Sequence, residues 1–217
     1  TTLEDRVQLL QAAGADAVAV IEFDREFANL TPAEFIKDIL VDKLSASEVV
    51  VGENFTFGNK AAGKSKDLAA VLPTHVVPLV ESGGEVISST RIRNLLIAGD
   101  VTQVEILLGR RFTLSGEVIH GEARGRKIGY PTANLHIAPE EKLIPSDGVY
   151  AVRVTINDAK EVYMGMMNIG VRPTIDGKKR VVEVNIFDFD ADIYGAQLKV
   201  ELYYYLRGEV KFEGLEG

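Results

Sequence analysis

Phe112-Thr-Leu-Ser-Gly-Glu-Val-Ile-His120 is the stretch on which the fold turns. Before it, apolar residues recur at helical spacing; after Arg111 that period disappears. The stretch opens a series of β-rich runs, at about 112–120, 133–138, 149–156, 161–168, 180–187 and 197–206. Gly, Pro, Asn and Asp separate them. Short strands at this spacing predict a closed or nearly closed antiparallel barrel, because closure removes the edges that would otherwise pair with other chains.

Upstream the pattern alternates. Leu3, Val7, Leu10 and Ala13 mark a helix, with Thr2 and Asp5 spaced as a capping box. Ala17 to Phe23 reads as a buried strand. Thr31-Pro32-Ala33-Glu34 starts a helix with a Thr cap, Pro at the first position and Glu at the third, running to about Leu44. A strand at Glu48 to Gly52, a short helix near Asp67 to Leu72 and a strand at His75 to Leu79 follow. Ser88 or Ser89 caps a helix through Arg91 to Ala98, and Asp100 with Gln103 starts another that ends near Gly109. Strands alternating with helices predict a parallel α/β sheet. The expected organisation is an α/β domain over 1–109 and an all-β domain over 110–217.

Composition narrows the chemistry. Of 217 residues, 46% are apolar and 26% charged, which is ordinary for a globular protein. The net charge of −8 counts against broad nucleic-acid binding. Cysteine is absent, so disulfides and thiolate nucleophiles are excluded. The imidazoles His75, His120 and His136 lie far apart in sequence, leaving a three-His metal site only to chance. The longest apolar runs are too short to cross a bilayer, and the opening residues form no signal peptide. The expected location is the cytoplasm.

Between the first two barrel strands lies His120-Gly-Glu-Ala-Arg-Gly-Arg-Lys-Ile-Gly-Tyr-Pro-Thr-Ala-Asn134. Gly121, Gly125 and Gly129 permit close approach of a ligand, and Arg124, Arg126 and Lys127 put positive charge into an acidic chain. The segment reads as a loop over phosphates, or as a solvated hairpin loop. Thr132 and Asn134 share one face of an extended segment, and their side-chain oxygens suit Mg²⁺, which takes substrate phosphates and waters as its other ligands. The alternative is a turn that starts a strand. In Val181-Val-Glu-Val-Asn-Ile-Phe187 the alternation sets Val182, Val184 and Ile186 on one face and Glu183 on the other. A carboxylate at the barrel mouth is a candidate proton acceptor; one facing solvent is only the polar half of the strand. Ile87-Ser-Ser-Thr-Arg-Ile-Arg93 opens a helix where hydroxyls and N–H groups suit an anion or simply cap the helix. Gly52-Glu-Asn-Phe-Thr-Phe-Gly58 follows a strand in the same half.

These stretches resemble the prokaryotic bifunctional riboflavin kinase/FMN adenylyltransferases (FAD synthetases), the actinobacterial members above all. Gly125-Arg-Lys-Ile-Gly-Tyr-Pro-Thr-Ala-Asn134, Asn168-Ile-Gly-Val-Arg-Pro-Thr174, Val182-Glu-Val-Asn-Ile-Phe-Asp188 and Asp192-Ile-Tyr-Gly195 carry the likeness in the second half. Phe23-Asp-Arg-Glu-Phe-Ala28, Val51-Gly-Glu-Asn-Phe-Thr-Phe-Gly58 and the run at 87–93 carry it in the first. The resemblance implies a partial Rossmann-like nucleotidyltransferase domain followed by a six-stranded Greek-key riboflavin kinase barrel, using ATP, riboflavin, FMN and Mg²⁺. It implies that Thr132 and Asn134 hold the metal and nucleotide, that Arg126 lies on the phosphate loop and that Tyr130 lines the nucleotide pocket. Glu183 would be the base. Ser89, Thr90 and Arg93 would grip ATP phosphates, and Asn54 would sit near the flavin. Asn185 stands where many relatives have His.

The family's H-x-G-H motif does not occur in this sequence, and its C-terminal helix is not expected from the last residues. The chain is therefore expected to be part of a longer protein, with FMN adenylyltransferase activity only in that longer chain. The expected partners are small molecules, without nucleic acid or membrane and with at most a weak homo-oligomer. Two other readings differ in kind: a non-catalytic flavin- or nucleotide-binding fragment, and a barrel that binds nucleic acid or protein, which the charge disfavours.

Overall fold

The computed structural model describes residues 1–121, 130–138, 142–174 and 177–208. The chain forms two compact units, Val7–Ile87 and Ser88–Gly217, the latter joined by Thr1–Arg6.

The smaller unit, Val7–Ile87, is built on two parallel strands, β1 (Val49–Gly52) and β4 (Thr74–Val77), paired from Val49↔Thr74 to Gly52↔Val77. Between them come β2 (Thr56–Phe57) and β3 (Gly63–Lys64), a short antiparallel pair, and helix α4 (Ser65–Ala69). A second small hairpin, β5 (Glu81–Ser82) with β6 (Glu85–Val86), follows. Helix α1 (Leu3–Ala12) opens the chain, with Thr2 and Asp5 exchanging the two capping hydrogen bonds read from their spacing. After α2 (Arg25–Asn29) comes α3 (Pro32–Glu34), which continues as a wider π-helical stretch, Phe35–Lys43. Its capping box is formed by Thr31 and Glu34, as the residue types require. Ile36, Phe57 and Leu68 are the buried centre of this unit.

Two expectations fail here. Ala17 to Phe23 forms no strand: it pairs with no neighbour among the described residues, and Phe23 is 76% exposed. An apolar run becomes a strand only where a ladder partner satisfies its backbone. The short helix lies at Ser65–Ala69 rather than Asp67–Leu72, because the Asp67 carboxylate accepts from the Lys64 N–H and marks the start of the helix, not its interior.

The larger unit is a closed barrel with strand order β10-β11-β8-β7-β12-β9, every pair antiparallel. The strands are β7 (Thr113–Ile119), β8 (Ala133–His136), β9 (Gly148–Ile156), β10 (Val162–Thr174), β11 (Gly177–Ile186) and β12 (Gln197–Arg207). β9, β10 and β11 run on as hairpins while β8 returns beside β11, the Greek-key order. β10 extends to Thr174, past the end near 168 read from the sequence, because Ile169 to Thr174 stay in register with β11.

The barrel is filled by alternation. Val182, Val184 and Ile186 are buried while Glu183 and Asn185 between them are half-exposed on the outer face. Tyr150 lies inside, its hydroxyl donating to the Ser146 carbonyl at 2.7 Å. Helices α5 (Ser89–Ala98) and α6 (Val101–Leu108) share the barrel's core through Leu96, Val101 and Val104. Ser88 and Asp100 cap their starts, and Gly99 turns between them in the left-handed conformation (φ 81°). The packing unit therefore begins at Ser88, some way upstream of the change from helical to β pattern.

Candidate functional site at the barrel mouth

At one end of the barrel β7 leaves at Ile119, β8 enters after Pro131 and Thr132, and β11 leaves at Ile186. The Phe187–Tyr194 connection arches beside them. Together they enclose a cavity of about 880 Å³, of the size that holds a cofactor-like ligand. Tyr130, Thr132 and Asn134 line it, so three of the residues singled out in the sequence meet there. Tyr130 stands at the rim, 68% exposed.

The register brings in a fourth. Glu183 on β11 is the Cα partner of Asn134 on β8, and Val184 is that of Ala133. Directly opposed residues on one face of an antiparallel pair hold their Cβ atoms about 4.5–5.5 Å apart. Glu183 and Asn134 thus share the outer face, with Asn134 lining the cavity and Glu183 on the strand beside it.

Glycine makes room for the amide. A Cβ on Gly121 would collide with Nδ2 and Cγ of Asn134. No side chain other than hydrogen fits at 121 while Asn134 keeps its place. From the other side, Asn185 Nδ2 donates to the Pro131 carbonyl at 2.7 Å. Across the mouth the His120 ring stacks on Tyr194, centroids 3.8 Å apart, and Tyr194 N–H donates to Asp192 Oδ1 at 3.0 Å. Asp188, Asp190 and Asp192 give the wall at 187–194 an acidic lining. The alternation pattern carried no signal for these ties, which join residues distant in sequence.

The donor set suits a hard cation bound together with phosphates. Among the described residues no group of three or more His, Asp or Glu stands ready to hold a metal. A protein cage is therefore absent from them, and Thr132 and Asn134, which line one cavity, carry a hydroxyl and an amide oxygen of the kind Mg²⁺ accepts beside waters and phosphates.

The remaining candidates lie elsewhere. Ser89 and Thr90 form the exposed first turn of α5, and Arg93 is exposed one turn on. Ser88 takes the capping role, accepting from the Arg91 N–H at 3.2 Å. Asn54 sits in the exposed turn between β1 and β2 of the smaller unit. Beside it in sequence, Phe55 begins a chain of rings, Phe55–Phe57–Phe35–Phe27–Phe23, with successive centroids 5.7, 5.2, 6.1 and 5.5 Å apart. Arg126, with its basic loop, lies outside the described residues.

The barrel is a six-stranded Greek key with a cavity at one end that Thr132 and Asn134 line, Glu183 stands opposite Asn134 on the neighbouring strand, and an α/β unit accompanies it in the chain. The riboflavin kinase family model matches residues 108–217, and the FAD synthetase family model matches residues 1–91. The bifunctional riboflavin kinase/FMN adenylyltransferase of Bacillus subtilis is 38% identical over all of this chain and 69% of its own length. That of Haemophilus influenzae is 37% identical over 99% of this chain and 70% of its own. A crystal structure from Streptococcus pneumoniae, described as a macrolide-efflux protein, superposes with a TM-score of 0.91 at 36% identity, covering 99% of this chain and 70% of that one. The chain belongs to the bifunctional riboflavin kinase/FMN adenylyltransferase family. These matches lend no support to the actinobacterial leaning. Among the described residues no helix is long and apolar enough to cross a membrane.

Proposed function

We propose that the barrel transfers the γ-phosphoryl group of ATP to the 5′-hydroxyl of riboflavin, giving FMN and ADP. The observation that carries this reading is the register pair Glu183↔Asn134 beside a cavity that Thr132 and Asn134 line. Thr132 and Asn134 would hold Mg²⁺ by their side-chain oxygens. When bound, the ion neutralises phosphate charge and orients the transferring group. Glu183 accepts the proton of the 5′-hydroxyl as its oxygen bonds to the γ-phosphorus, and the bond from that phosphorus to the β–γ bridging oxygen breaks, leaving ADP. Arg126 lies on the phosphate loop and Tyr130 flanks the nucleotide at the rim.

The α/β part serves the second activity of the family, adenylylation of FMN to FAD. Ser89, Thr90 and Arg93 grip ATP phosphates for that reaction, and Asn54 sits near the flavin. The functional division runs at 109–110, with small molecules as partners and the cytoplasm as location. Self-association is at most weak, and neither nucleic acid nor membrane takes part. A fragment that binds without turnover is not favoured, since a riboflavin kinase family model matches the whole barrel.

Incubation of the 217-residue chain with riboflavin, ATP and Mg²⁺, followed by chromatography, tests the reading. FMN is expected, and its yield should collapse in Asn134→Leu. A folded parent chain that forms no FMN overturns it.

A further inference from the structure

We propose that Asn185 is a positioning residue, whose amide takes over from the backbone ladder where β8 runs out and so aims Thr132 into the cavity. The inference rests on the reading of Thr132 and Asn134 as metal and nucleotide ligands.

The β8–β11 ladder has two register pairs, Glu183↔Asn134 and Val184↔Ala133, and stops there. The next step would need residues 132 and 131, but Pro131 has no N–H to give and confines its own backbone. Thr132 thus lies just outside the strand, with nothing in the ladder to fix it. The Asn185 side chain supplies the missing tie by donating from Nδ2 to the Pro131 carbonyl at 2.7 Å. A carbonyl only accepts, so the amide must turn its nitrogen toward Pro131.

The consequence follows from peptide planarity. The Pro131 carbonyl and the Thr132 N–H belong to one rigid plane, so fixing the carbonyl fixes the backbone entering Thr132. Ala133, in register with Val184, fixes the backbone leaving it. Thr132 is held from both sides, which fixes the direction of its Cα–Cβ bond relative to Asn134. The same residue that caps the row of outward side chains after Glu183 therefore sets the spacing of the two oxygen donors.

The chemistry of rescue is equally definite. His Nδ1 stands as many bonds from Cβ as Asn Nδ2, so a histidine presenting Nδ1–H can make the same tie. Leucine copies the shape of Asn without a donor or a charge.

Titration calorimetry with ADP, with and without Mg²⁺, on the full 217-residue chain tests the proposal without turnover. Asn185→Leu should weaken Mg²⁺-dependent ADP binding about 10–100-fold, the usual effect of removing a partner that orients a ligand. Asn185→His should restore it, and riboflavin binding followed by fluorescence should hold in both. Unchanged Mg²⁺-dependent binding in Asn185→Leu overturns the proposal, as does equal weakening in the Leu and His variants, which would mark a merely structural position. Asn134→Leu separates the two levels. If it loses Mg²⁺ dependence while Asn185→Leu does not, only the positioning role falls; if it keeps Mg²⁺ dependence, the ligand assignment falls and this role with it.

Discussion

Glu183 on β11 and Asn134 on β8 oppose each other as a register pair on the outer face of the barrel. Their alignment is enforced from inside, where Val184, 1% exposed, and Ile186 are locked into the core. A slip of one residue would turn Glu183 inward and expose the valines, so the packing of the core fixes the geometry of the site.

With Glu183 as proton acceptor, Glu183→Gln keeps the size of the side chain and removes the base. Turnover should fall roughly 10²–10⁴-fold. Binding of riboflavin and of ATP should change little, because the lost interaction belongs to the transition state. Steady-state kinetics beside fluorescence titration checks this, and a variant with near-parental kcat refutes the assignment.

Gly121→Ala places a methyl group against the Asn134 amide, where the Cβ meets Nδ2, Cγ and Oδ1. The amide is the end of a flexible side chain, so Asn134 is the group that must swing away. Both a lower Tm and weaker Mg²⁺-dependent nucleotide binding are expected. Loss of Tm alone would show that Asn134 is not the group displaced.

Asp5 pairs with Lys142, whose side chain is only 6% exposed. Burial on its own raises the Asp5 carboxyl, but the hydrogen bond from Lys142, the bond from the Thr2 backbone and the Lys142 charge outweigh it and hold the carboxyl below its ordinary value. The resulting stability is present above the unfolded value near about pH 3.9 and is lost as pH falls through the lower folded one. Asp5→Asn should leave Lys142 short of a partner, cost about 1–3 kcal/mol at neutral pH and flatten the acid side of the stability profile. Denaturation at a series of acid pH values measures both.

Tyr150 gives the opposite slope. Burial raises its phenol above the ordinary value, the bond with Ser146 and the charge of Arg180 only partly offsetting it. A buried phenol resists ionisation, so its contribution is full below about pH 10 and lost as pH rises through the folded value. Tyr150→Phe should cost about 0.5–1.5 kcal/mol at neutral pH through the bond to Ser146, and should lose this alkaline slope. Parallel alkaline melts of parent and variant decide it.

The barrel was legible because each strand alternates buried and outward residues between turn formers, as Val182, Val184 and Ile186 do around Glu183. Helix starts were legible too: Thr31 with Glu34 and Asp100 with Gln103 form the bonds their spacing requires. Ala17 to Phe23 misled because apolarity does not supply a hydrogen-bonding neighbour. At the mouth, Thr132 and Asn134 could be set on one face from periodicity. The Asn185 tie to Pro131, 54 residues away, and the His120–Tyr194 stack arise only when the barrel closes. The same holds for α5 and α6, whose caps were readable but whose burial against the barrel was not.

The burial of Leu96, Val101 and Val104 against the barrel bears on how separable the two halves are. A kinase piece excised at residue 110 would leave those three side chains behind and open holes in its own interior. One excised at Ser88 would carry them along, together with Ser89, Thr90 and Arg93. The seam along which this chain can be cut is therefore not the one where its secondary structure changes class. Residues assigned to the adenylylation reaction travel, mechanically, with the phosphorylating barrel.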